Sequence, residues 1–141
     1  LFFQVGDRVL FSRMLDGQFP KYERIIPRDN TNIAVVDRAA LMAAIKRVGL
    51  VSEQKQSAAF EFASGGLTVS TSSAEVGSAD EGVLCEYTGS PLKVSMCWRY
   101  VLDFLSAAQE QQVSVALKDA KSAVLFSDGT DSINVVMVMA S

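Results

Sequence analysis

The chain has 141 residues, 49% of them apolar and 21% charged, which supports one packed domain and leaves little length for a second. Thirteen Lys and Arg stand against sixteen Asp and Glu, and the net charge of −3 argues against holding nucleic acid by bulk charge, although a local basic face is compatible with it. There is no His and there are only two Cys, which excludes Ser-His-Asp and Cys-His catalysis, a four-ligand zinc site and a disulfide framework; a reducing, cytosolic setting fits.

No apolar run reaches the roughly 18 residues of a membrane-spanning helix. Leu1–Val5 lacks the basic flank and length of a signal peptide. The chain opens in mid-strand without Met, which reads as a piece of something longer. Leu1–Val5 and Val9–Leu15 are predicted to form a hairpin that turns at Gly6-Asp7. Asp16-Gly17 breaks it, and Phe19-Pro20 begins an extended stretch, because the residue before Pro avoids helix. Tyr22–Ile26 is read as short and extended, ending at Pro27, and the polar Arg28–Thr31 as a linker or the start of a new unit.

Ile33–Val36 reads as a strand, Asp37 as an N-cap and Arg38–Val51 as a helix. Leu41, Ala44, Ile45 and Val48 make its buried stripe, with Arg38, Met42 and Lys46 on an opposing row and Arg47 beside it. Ala59–Ala63 and Leu67–Ser72 alternate about a turn at Gly65-Gly66, and a polar stretch, Ser73–Asp80, leads to a strand at Glu81–Tyr87. The pattern then recurs. Leu92–Met96 is a strand, and Trp98–Ala108 is a helix with Val101, Phe104, Leu105 and Ala108 inward. Val113–Lys118, Ser122–Ser127 and Ser132–Met139 are strands, the last hairpin turning at Asp128-Gly129. The order strand-helix-strand-strand-strand thus occurs twice, which predicts an α+β fold with pseudo-twofold symmetry and helices laid on antiparallel sheets.

Few motifs carry chemistry. The serines lack a base and a nucleophile elbow, so a hydrolase is a remote alternative. Glu75, Asp80, Glu81 and Glu86 form an acidic cluster that reads as a solvated or partner-facing edge. The Asp128–Asp131 run is explained by a hairpin turn rather than a calcium loop. Cys85 and Cys97 read as small buried hydrophobes. Tyr100 falls on the flank of its helix. In Val135–Met139, alternation puts Met137 and Met139 on one face and Val136 and Val138 on the other; composition favours core filling over an adaptable peptide groove. Arg38, Lys46 and Arg47 make a basic helix face, for which a solvated surface is the default reading and contact with phosphates without base readout the sharper one. A self-assembling β-rich interaction module built through strand edges is the second alternative.

Residues Asp16-Gly17-Gln18-Phe19-Pro20-Lys21-Tyr22-Glu23-Arg24-Ile25-Ile26-Pro27 resemble a signature of the bacterial sliding clamp family, the beta subunit of DNA polymerase III. The resemblance continues through Lys46–Ser52, Glu86–Gly89 and Tyr100–Leu105 and ends in the tail Val135–Met139, covering essentially the whole chain. It implies the DNA clamp fold, with residues 1–27 as the end of the central clamp domain and 28–141 as the C-terminal clamp domain. It implies a non-enzymatic processivity factor without cofactor or metal. A head-to-tail homodimer would encircle double-stranded DNA. The ring would tether the polymerase III alpha subunit and the clamp loader through short peptides. Carried over residue by residue, the peptide groove is Pro20, Arg24, Ile25, Tyr100, Val135, Met137, Val138 and Met139. The dimer seam is Leu50, Val51, Asp80 and Glu81. The DNA-facing cations are Arg38, Lys46, Arg47 and Arg99. The chain departs from the family at Val138, where the tail often has Pro, at Ala140, where it has Arg, and at Gly49 and Gly82, where the seam is often bulkier.

Overall fold

In the computed structural model, which describes residues 1–51, 56–73 and 76–139, the first strands are β1 (Phe2–Val5) and β2 (Arg8–Phe11). They pair about the predicted turn, where Gly6 takes a φ of +58°. β2 stops at Phe11, short of Leu15, because Phe11 already faces Phe2 at the beginning of β1 and residues beyond it have no strand opposite. Tyr22–Arg24 form a single 3-10 turn, not an extended run, with Ile25 N–H donating to the Tyr22 carbonyl. Pro20 and Pro27 restrain only the residues before them, which leaves Tyr22–Arg24 free to coil.

The rest is β3 (Asn32–Asp37), α1 (Arg38–Gly49), β4 (Ser57–Ala63), β5 (Gly66–Ser73), β6 (Gly77–Thr88), β7 (Leu92–Cys97), α2 (Trp98–Ala107), β8 (Gln112–Leu117), β9 (Val124–Ser127) and β10 (Ile133–Val136). The predicted unit of a strand, a helix and three strands is therefore present twice. The polar residues 77–80, read as a connection, belong to β6 because they pair with Ser70–Ser73 of β5. β10 ends at Val136, three residues early, where its pairing with β9 runs out at Val124. α1 ends at Gly49 instead of Val51, its last carbonyls accepting from Leu50 and Val51 N–H.

Asp37 caps α1 as expected, its carboxylate accepting from Ala40 N–H at 2.8 Å. That bond holds the Asp37 carboxyl below the usual carboxylate range. A carboxyl with a depressed folded pKa stabilises above its unfolded value, and the contribution is lost as pH falls through the folded one. Asp37→Ala is accordingly expected to lower the unfolding midpoint at pH 7, and the gap from the unmodified protein should close in acid, below the carboxylate range.

Eight strands form one antiparallel sheet in the order β10-β9-β8-β3-β6-β5-β4-β7. Each repeat thus lends its first strand to the other: β3 pairs with β8, and β7 with β4. The registers match to the residue, since Asp37 faces Gln112 as Cys97 faces Ser57. The helical stripes Leu41, Ala44, Ile45, Val48 and Val101, Phe104, Leu105 join Val36, Phe60, Phe62, Met96 and Phe126 in one buried core, each large side chain worth about 1.5–3 kcal/mol by removal from water. The helices lie side by side and antiparallel. Arg38 at the start of α1 reaches Leu105 near the end of α2, while Gly49 at the end of α1 meets Trp98 at the start of α2. A Cβ on Gly49 would lie 3.2 Å from the Trp98 ring, so this departure from the family seam is explained by helix packing. Gly82 has open space around its Cα.

Candidate functional site

The repeat is broken at one seam. In the first half, β3 and β6 pair over four positions, from Ile33–Thr88 to Val36–Cys85. In the second half, the equivalent pairing of β7 with β10 is reduced to one bridge, Met96 with Val138, and one bond from Met139 N–H to the Ser95 carbonyl. α1 packs on β6, whereas α2 barely touches β10. A cavity of about 820 Å³ opens between them.

Side chains explain why it stays open. Counting from the caps, Arg47 of α1 and Ala107 of α2 are equivalent. Arg47 reaches across to β6 and donates to both Glu81 oxygens at 2.6 and 3.0 Å. Ala107 has nothing to reach with. The floor is apolar, with Phe104 and Val136 buried. Asn134 Nδ2 donates to the Tyr100 carbonyl at 3.3 Å and ties the two walls together. Gln56, exposed on the cavity lining, holds a φ of +51°, rare for a side-chain-bearing residue, and its carbonyl accepts from Trp98 N–H.

The structure brings Tyr100, Val135, Met137, Val138 and Met139 together around this cavity. Pro20, Arg24 and Ile25 do not line it; Arg24 and Ile25 border a shallow depression made by their own segment, Glu23–Asp29. The alternation in the tail holds, but the preference for core filling does not. Met137 is 63% exposed and Met139 41%, while Val136 is buried. Cys97, expected to be buried, is half-exposed at the cavity, and Cys85 is buried as expected. Phe104, Ala107, Asp103 and Asn134 were missed as lining residues. The signal for three of them was present: with Tyr100, residues 103, 104 and 107 fall on one helical row.

The four candidate DNA-facing cations have different surroundings. Lys46 and Arg99 are exposed, Arg99 with its guanidinium carbon 4.9 Å from the Trp98 ring centre. Arg38 donates to the Leu105 and Glu110 carbonyls, and Arg47 is forked onto Glu81. Arg47 and Glu81, read from the sequence as belonging to different surfaces, are thus partners, and the guanidinium holds the Glu81 carboxyl below its usual range. Of the other acidic residues, Asp80 and Glu86 lie on β6, and Glu75 lies outside the described residues, as does Ala140. Asp128 is buried in its turn, accepting from Thr130 N–H, Thr130 Oγ1 and Gln109 N–H.

A second unpaired feature lies on β6. β5 covers one edge of Gly77–Leu84, but β3 takes only residues 85–88 on the other. Among the described residues no strand pairs the remaining edge. Leu84 beside it is 86% exposed, and exposed Leu50 follows Arg47 at the end of α1. The sequence does not single out Leu84, since it stands in the apolar run Val83-Leu84-Cys85, whose other two members are buried.

Known proteins share this fold. The beta sliding clamp of Synechococcus elongatus is 36% identical over 129 residues, 89% of this chain and 34% of its own length. A sliding clamp structure from Pseudomonas aeruginosa bound to griselimycin superposes with a TM-score of 0.86 at 34% identity, covering 92% of this chain and 36% of that one. A Bartonella birtlesii sliding clamp bound to griselimycin gives 0.89 at 27% identity, covering 99% and 38%. The chain spans only about a third of the length of such relatives. Residues 23–140 match the profile of the C-terminal domain of the DNA polymerase III beta subunit. With a duplicated strand-helix-strand-strand-strand unit, two paired helices and this match over most of its length, the chain belongs to the DNA polymerase III beta subunit family and has the sliding clamp fold.

Proposed function

We propose that this chain is the C-terminal part of a ring-forming processivity clamp. The ring encircles duplex DNA and tethers the polymerase III alpha subunit and the clamp loader through short peptides seated between α2 and β10. The observation that carries the reading is the open seam of the repeat. The first strands of the two repeats, β3 and β7, have four joints between them; β3–β6, β3–β8 and β4–β7 are closed, and the fourth, β7–β10, leaves an apolar cavity flanked by the exposed Tyr100, Met137 and Met139. A concave apolar site with a few polar groups suits large apolar side chains, and the griselimycin-bound relatives support it. Pro20, Arg24 and Ile25 belong to the same groove in this reading, as part of its second wall.

The unpaired edge of β6, with Leu50, Val51, Asp80 and Glu81 nearby, is the proposed seam of a head-to-tail homodimer. A free strand edge is a template for a strand of another chain. Residues 1–27 are proposed to be the end of the central domain. In their hairpin Phe2, Phe3, Leu10 and Phe11 are all exposed, and the rest of that domain would cover them. The role is accessory, without chemistry of its own, and its setting is the cytoplasm. Enclosure, not charge, supplies the grip, so the net charge of −3 is no obstacle. Lys46 and Arg99 make weak, sequence-blind phosphate contacts, with Arg38 and Arg47 at the margins of the same face.

The test is topological. The full-length protein loaded on nicked circular duplex should stay bound through a salt wash of roughly 0.5 M, at which ordinary phosphate contacts fail, and should run off once the circle is cut. Equal retention on circular and linear DNA would overturn the reading.

A further inference from the structure

The last turn of α2 is held from outside. α2 has no basic residue in that turn to meet its C-terminal carbonyls. Arg38, the first residue of α1, supplies one from the neighbouring helix. Its Nη1 donates to the Leu105 carbonyl at 3.1 Å and its Nε to the Glu110 carbonyl at 2.9 Å, while its own backbone N–H donates to the Gln111 carbonyl at 2.8 Å. The buried Asp128 carboxylate accepts from Gln109 N–H at 3.2 Å. Asp128 opens the turn that leads into β10, so residues 105–111 are fixed between α1 and the β9–β10 hairpin. Both cavity walls, α2 with Phe104 and Ala107 and β10 with Asn134, leave from this junction.

The other end of the helix pair is fixed differently. Trp98, first residue of α2 and so the counterpart of Arg38, meets the end of α1 by ring packing on Gly49. One lock is apolar and tight, and the other consists of charge-assisted bonds to carbonyls.

We infer that Arg38 is a positioning residue for the groove. Its guanidinium fixes the last turn of α2 and thereby the spacing of α2 from β10. This rests on the reading of the α2–β10 cavity as a ligand site, and griselimycin serves as the probe. In the full-length protein, Arg38→Met keeps the stem and removes every side-chain donor. It is expected to weaken griselimycin binding about 5-fold and to speed amide exchange at residues 106–111 about tenfold or more. Amide exchange around Trp98 and Gly49 should not change, because that end of the helix pair is untouched. Arg38→Lys, which keeps the charge and can reach one carbonyl, should recover part of both losses. It also serves as the second variant should Arg38→Met not fold.

A drop in unfolding midpoint with griselimycin affinity unchanged would overturn the inference, since a merely structural role does that. Unchanged exchange at residues 106–111 would overturn it as well. If the unmodified protein does not bind griselimycin, the groove reading falls, and exchange in the variant still decides whether Arg38 holds the turn.

Discussion

Griselimycin affinity is expected to fall by about 2 kcal/mol or more, roughly 30-fold, when Tyr100 and Met137 are both replaced by Ala. The two flank the same cavity from opposite walls, Tyr100 on α2 and Met137 just beyond β10, and both are 63% exposed. A large side chain that is exposed without a ligand and covered with one is the usual form of a binding hot spot. The same exposure means that the fold loses little, about 0.5 kcal/mol or less, when they are truncated. Calorimetric titration alongside thermal unfolding separates the two effects. Affinity within twofold of the unmodified protein would remove the cavity from consideration. Ile25→Ala adds a second reading. Ile25 does not line the cavity, so a further loss from this change would mean that the full-length protein brings its segment to the groove as a second wall.

The largest effect on stability is expected from Phe126→Ala. Phe126 on β9 is fully buried, and its ring centre lies 5.9 Å from that of Phe104 at a tilt of 52°. Removing a buried ring loses its transfer free energy and leaves a void that a β-sheet core cannot close, about 3–5 kcal/mol in all. For a domain of this size that lowers the unfolding midpoint by roughly 10 °C or more. Phe104 also lines the groove, so its packing partner supports the groove floor, and ligand affinity should fall modestly as well. A loss below about 1.5 kcal/mol in urea unfolding would show that Phe104 and its neighbours collapse into the space.

Much of this was legible before any coordinates. The stripe Leu41, Ala44, Ile45, Val48 is buried as its spacing requires, Asp37 caps its helix, and the turns read at Gly6 and Gly129 sit where those glycines permit them; the turn read at Gly65-Gly66 falls one residue earlier, at Ser64-Gly65, because Gly66 already pairs with Ala63. The signature from Asp16 to Pro27 and the row Tyr100–Leu105 pointed to the right family. Residues 77–80 look like a connection and Tyr22–Ile26 like a short extended run, because polar strand halves and short coils have no distinctive period. Met137 and Met139 looked like core because composition does not say which strand faces them.

What the chain determined alone is therefore its local order: helices of the right phase, caps, turns, and a unit repeated at a spacing that allows its two copies to exchange strands. Which charges are free and which surface is open was decided only by tertiary structure. Arg47 finds Glu81 34 residues away, and Arg38 finds Leu105 67 residues away. Periodicity acts over a few residues, whereas these contacts depend on strand register across the whole sheet. The groove exists because one seam of eight strands keeps a single bridge where its counterpart keeps four.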